Sequence, residues 1–86
     1  MKMIISVLRD TDADAVSQGL TSAKFRMTRV ASTGGFFKKG TVTLLIGVDD
    51  TRVDAAIKVL HETTTPVEGE KRCTIFVVPV ERFEQI

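Results

Sequence analysis

Asp10-Thr11-Asp12-Ala13-Asp14-Ala15-Val16-Ser17-Gln18-Gly19-Leu20 returns, forty residues later, as Asp50-Thr51-Arg52-Val53-Asp54-Ala55-Ala56-Ile57-Lys58-Val59-Leu60, with five of eleven aligned positions identical. Both stretches read as a helix and its entry. Thr11 is expected to cap the first helix, with Asp12 and Asp14 in the opening turn, where carboxylates favour the exposed N–H groups and the dipole. Asp50 or Thr51 is expected to cap the second. Ala13, Val16, Leu20 and Ala23 give the first helix one apolar face, and Val53, Ala56, Ile57 and Leu60 keep i, i+3, i+4, i+7 spacing in the second. Gly19 weakens the first helix modestly, and Lys58 and His61 suit the end of the second.

Strand-like runs flank these helices. Met3 to Leu8 is aliphatic and β-branched, and Phe25 to Ser32 alternates with one wetter face. Val42 to Val48 reads as a central strand, and Cys73 to Val80 as the last. The order is β-α-β-β-α-β, and two related β-α-β halves set side by side predict an α+β, ferredoxin-like sandwich. Its antiparallel sheet should carry both helices on one face. The other face must be covered by a partner or be polar. Residues 1–86 are read as one domain.

Charged residues make up 27% and hydrophobic residues 43%, the balance of a folding domain and not of a disordered tail. A chain of this size buries only a thin core, so self-association is an expected source of stability. The single cysteine, Cys73, excludes an internal disulfide and reads as a strand residue, which fits the cytoplasm. The start of the chain lacks the basic, apolar and small-residue series of an export signal. Val42–Val48 is a strand-sized apolar run, too short to span a membrane. Net charge is only +1, yet no acid falls from Ala15 to Val48 while Lys24, Arg26, Arg29, Lys38 and Lys39 all do. That asymmetry favours a small anion, without the overall basicity of a nucleic-acid binder.

Thr33-Gly34-Gly35-Phe36-Phe37-Lys38-Lys39-Gly40 is a loop, and its glycines can turn consecutive N–H groups toward an anion. Thr33 and Thr41 add hydroxyls, and Arg26, Lys38 and Lys39 add charge. Phe36 or Phe37 stacking on a base would complete a nucleotide site. The same residues also fit a long hairpin whose phenylalanines tuck under the domain or into a subunit interface, and composition leaves both readings open. The loop has no Walker A register, so NTP hydrolysis is unsupported. Asp10, Asp12, Asp14, Asp49, Asp50 and Asp54 sit where helix entries need acids and not as metal ligands. His61 has no acid–base partner nearby in sequence, and Cys73 no activating pattern. The aromatic signature of RNA-binding sheets with this topology is absent. No enzyme is expected.

Phe25-Arg26-Met27-Thr28-Arg29-Val30-Ala31-Ser32-Thr33-Gly34-Gly35-Phe36-Phe37-Lys38-Lys39-Gly40, with Ile46-Gly47-Val48, Arg52-Val53 and Val77-Val78-Pro79-Val80-Glu81, closely resembles the PII-like cyclic-di-AMP receptor family of bacteria. The resemblance runs from Met1 to about His61 and resumes from Thr74. It implies a homotrimer with a ligand site in each cleft between subunits, no cofactor, and signalling to a downstream protein through loop ordering. Carried over, Arg26, Thr28, Gly35, Phe36 and Phe37 would surround the ligand, and Gly47, Phe76 and Gln85 also fall on matching positions. Thr28 and backbone amides suit phosphate, Phe36 or Phe76 adenine, and Gln85 a base edge. Lys24 and Thr41 stand where the family usually has asparagine. The segment 63–73 is also shorter than the usual loop. Another nucleotide or metabolite in the same cleft, and a regulatory subunit that binds no ligand, are the alternatives.

Overall fold

A computed structural model of the chain describes residues 1–30 and 40–86. Gly35, Phe36 and Phe37, with the rest of the glycine-rich loop up to Lys39, lie outside the described residues. The elements are β1 (Lys2–Arg9), α1 (Ala13–Ser22), β2 (Arg26–Val30), β3 (Thr41–Val48), α2 (Val53–Thr63) and β4 (Cys73–Pro79). They form one antiparallel sheet of order β2-β3-β1-β4. This is the expected ferredoxin-like α+β arrangement, with the two central strands each feeding a helix.

The pleat sorts the side chains. Ile4, Ser6 and Leu8 of β1 and Val42, Leu44, Ile46 and Val48 of β3 are buried and meet Val16 and Leu20 of α1 and Ala56 and Leu60 of α2 in one core. Ser6 is satisfied within it by donating to the carbonyl of Leu44 at 3.2 Å. Directly paired residues share a face, so the opposite, helix-free face follows from the register. It carries Arg26, Thr28 and Val30 of β2, Thr41, Thr43, Leu45 and Gly47 of β3, Met3, Ile5 and Val7 of β1, and Thr74, Phe76 and Val78 of β4.

The helix entries differ from expectation. Each helix is preceded by a 3-10 turn, Asp10–Asp12 and Asp50–Arg52, and neither has a side-chain cap. Backbone bonds do the work instead, Ala13 N–H donating to Asp10 C=O and Arg52 N–H to Asp49 C=O. That frees the acids. Asp12 turns inward, nearly buried, and accepts from the N–H and hydroxyl of Thr65 at 3.2 and 2.9 Å, with Arg9 at 3.5 Å. The carboxylate thus ties the start of α1 to the chain leaving α2. Gly19 also has a positive role, since a Cβ there would meet Thr63 Cγ2 at 2.8 Å and Val59 Cγ1 at 3.2 Å. Its bare backbone lets the helices approach closely.

Helix α1 stops in a two-bond αL closure. Phe25 N–H donates to Leu20 C=O and Lys24 N–H to Thr21 C=O, and Lys24 takes a left-handed φ of 65°. Glycine or asparagine is the usual residue there, because a Cβ in this region is crowded by about 1–2 kcal/mol. Lys24→Gly should therefore raise the melting temperature by about 4–8 °C, a gain near 1 kcal/mol in a domain of this size. An unchanged or lower midpoint in a thermal scan would show that Lys24 compensates through its side chain.

Candidate ligand-binding site

The end of the helix-free face where β2 starts and β3 finishes is shaped by three local features. The closure at Lys24 turns the chain so that Arg26 enters the sheet opposite Gly47. Gly47 presents no side chain, and a Cβ added there would already meet the Met1 methyl at 3.1 Å. The segment after β4 returns along the same end, its Val80 N–H donating to Met1 C=O at 3.1 Å. These features enclose an open groove of about 670 Å³ whose walls include Arg26, Thr28, Gly47, Met3, Phe83 and Gln85. A smaller hollow of about 240 Å³ adjoins it, sharing Arg26 and Gly47 and adding Lys24, Asp49 and Arg52.

Four residues singled out from the sequence, Arg26, Thr28, Gly47 and Gln85, thus line one groove, with Lys24 in the adjoining hollow. Two others stand apart within the chain. Phe76 lies in the row Thr28–Leu45–Ile5–Phe76, three strands from Thr28 and so about 14 Å away. Thr41 pairs with Arg9 at the far end of β3, about 20 Å along the strand from Gly47. It lines a separate cavity of about 490 Å³ beside residues 69–74.

Arg52 and Phe83 were not singled out as site residues. The Arg52 guanidinium lies 4.1 Å from the Phe25 ring centroid and donates to Ala23 C=O at 3.0 Å, holding the end of α1 and placing a cation beside the smaller hollow. The signal for Arg52 was present in Arg52-Val53. Phe83 had none, because only the path of the chain after β4 brings it to the groove.

The local field is mixed in sign. Lys24, Arg26 and Arg52 face Asp49, and Asp50 lies close by, engaged by the N-terminal ammonium at 2.9 Å. Hydrogen bonding from that ammonium holds the Asp50 carboxyl below the ordinary carboxylate value, against a smaller opposing effect of desolvation. On the helix side of β2, Arg29 reaches Asp14 at 3.5 Å, which confirms that Arg26 and Arg29 project from opposite faces. Burial pushes the Cys73 thiol up to about 11, so it is protonated and unreactive at neutral pH. Among the described residues no cluster of His, Cys, Asp or Glu is placed to hold a metal ion. No helix of the described residues is long and apolar enough to cross a membrane.

Residues 1–71 match the family model described as cyclic-di-AMP receptor. The chain belongs to the cyclic-di-AMP receptor family. Such a family is one of binding proteins that sense a nucleotide, and the match covers β1 through α2, including Arg26, Thr28, Thr41 and Gly47. Phe76, Phe83 and Gln85 lie beyond it. Among solved structures, the chain is similar to a functionally unknown protein from Pediococcus pentosaceus ATCC 25745, at 25% identity and a TM-score of 0.79. That similarity covers 99% of this chain and 96% of the other. It extends the shared fold through β4 and the segment after it.

Proposed function

We propose that this chain is a cyclic-di-AMP receptor that binds its ligand without chemistry, as a single-domain subunit of a cytoplasmic homotrimer, and relays occupancy to a protein partner. The observation that carries this reading is the convergence of Arg26, Thr28, Gly47 and Gln85 on one groove. Arg26 supplies charge and Thr28 a hydroxyl for phosphate, Gly47 leaves the floor open, and the Gln85 amide can both donate to and accept from a base edge. Gly35, Phe36 and Phe37, which lie outside the described residues, are assigned to the same ligand site on the sequence resemblance alone.

A trimer accounts for the residues that one chain keeps apart. Val30 on one edge strand and Phe76 and Val78 on the other are 42%, 49% and 38% exposed on the helix-free face, apolar surface that neighbouring subunits would cover. In a cleft between subunits, Phe76 and Thr41 would reach the ligand of a neighbour. The lone thiol of Cys73 agrees with a reducing compartment.

Calorimetric titration with cyclic di-AMP, cyclic di-GMP and a panel of mononucleotides tests the ligand, and sedimentation tests the assembly. Saturable binding of cyclic di-AMP by a species of about three times 9.4 kDa is expected. A stable monomer at micromolar concentration would remove the intersubunit site. Binding of a mononucleotide alone would transfer the groove to another ligand class.

A further inference from the structure

We infer that Phe83, in the segment that follows β4, supplies an aromatic wall on which one base of the bound nucleotide stacks. This inference rests on the groove being the nucleotide site and assigns it a residue that lies outside the family-matched residues 1–71. Its ring lines the groove together with Arg26, Thr28 and Gln85 and is 60% exposed. Exposure of a single ring is ordinary; what distinguishes this one is its place beside a cation, a hydroxyl and an amide, the neighbours that a base, its phosphate and its polar edge require.

Geometry separates Phe83 from the described alternative. Phe76 stands three strands away from Thr28, and Phe25, which also borders the groove, is buried in the core with Arg52 over its ring, so within one chain Phe83 is the exposed phenylalanine among the described residues that shares a groove with Arg26 and Thr28. The segment is tied to the fold just before the ring, where Val80 N–H donates to Met1 C=O at 3.1 Å, and Arg82 pairs with Glu84 at 2.7 Å within the segment itself. Placing the ring in the groove therefore needs no large rearrangement, and stacking is tolerant of base identity because every base offers a π-face.

The test uses the full chain, cyclic di-AMP as probe, and three variants. Phe83→Ala should weaken binding roughly tenfold or more, and Phe83→Tyr should keep affinity within about threefold. The chain contains no tryptophan or tyrosine, so Phe83→Trp introduces a sole indole whose emission should be quenched in proportion to calorimetric saturation. Melting and sedimentation of Phe83→Ala should match the parent. If the parent binds and Phe83→Ala binds equally well, or the indole emission is indifferent to saturating ligand, the stacking role is wrong while the receptor reading stands. Loss of assembly in Phe83→Ala would reassign the ring to a subunit contact and likewise overturn it. A parent that gives no heat with cyclic di-AMP would overturn both.

Discussion

Arg26→Ala is expected to weaken cyclic-di-AMP binding roughly 10- to 150-fold, the loss of one charge-assisted contact worth about 1.5–3 kcal/mol, while the melting midpoint stays within about 2 °C. The two halves of that expectation have separate causes. Arg26 is exposed on the helix-free face, opposite a glycine, and the core lies on the other side of the sheet, so its removal uncovers little apolar surface. The same exposure leaves its guanidinium available to a phosphate. Titration of parent and variant at two salt concentrations checks the assignment, because a lost phosphate contact also flattens the salt dependence. Equal affinities would take Arg26 out of the site, and a large fall in melting temperature would make it a structural residue.

The second large effect is one of stability. Asp12→Ala removes a nearly buried carboxylate that accepts two hydrogen bonds from Thr65 and faces Arg9, whose side chain also donates to the Thr65 carbonyl. The expected loss is roughly 2–3 kcal/mol, since hydrogen bonds to a charged acceptor exceed neutral ones and the Thr65 donors would be stranded. That corresponds to a melting point lower by roughly 10–20 °C in a domain of this size. Asp12→Asn keeps one acceptor oxygen and loses the charge, so it should fall between alanine and the parent. Thermal scans of the three proteins decide the matter. A variant series in which asparagine is no better than alanine would show that the ion pair with Arg9, and not the Thr65 bonds, carries the tie.

The sheet and helices were legible because periodicity and pairing agree. Leu44, Ile46 and Val48 alternate with Thr43, Leu45 and Gly47, and the register that follows puts every buried residue of β3 on one face. Val16, Leu20, Ala56 and Leu60 were likewise legible from spacing alone. The entries to the helices were misread for a physical reason. A carboxylate one residue before a helix has the same sequence signature whether it caps that helix or turns away, and only the distant Thr65 decides for Asp12. Gly19 was read as a weakness because its cost is local and its benefit, closeness to Thr63, is forty-four residues away. For the site, Arg26 and Thr28 could be placed on one face by alternation, whereas the distance of Phe76 and Thr41 from them depends on strand order. Phe83 required the course of the chain after β4, which no periodic pattern encodes.

Met1 and Gln85 belong to the same groove, so both described ends of the polypeptide arrive at its mouth. An affinity tag fused at either end would hang over that opening. A polyhistidine leader would also replace the free ammonium that engages Asp50 and bring imidazoles next to Arg26. A tag spliced instead between Glu68 and Gly69, in the connection beyond α2, would leave this chain's own groove clear, but it would sit beside Arg9 and Thr41 and so at the end of the sheet expected to meet a neighbour's ligand.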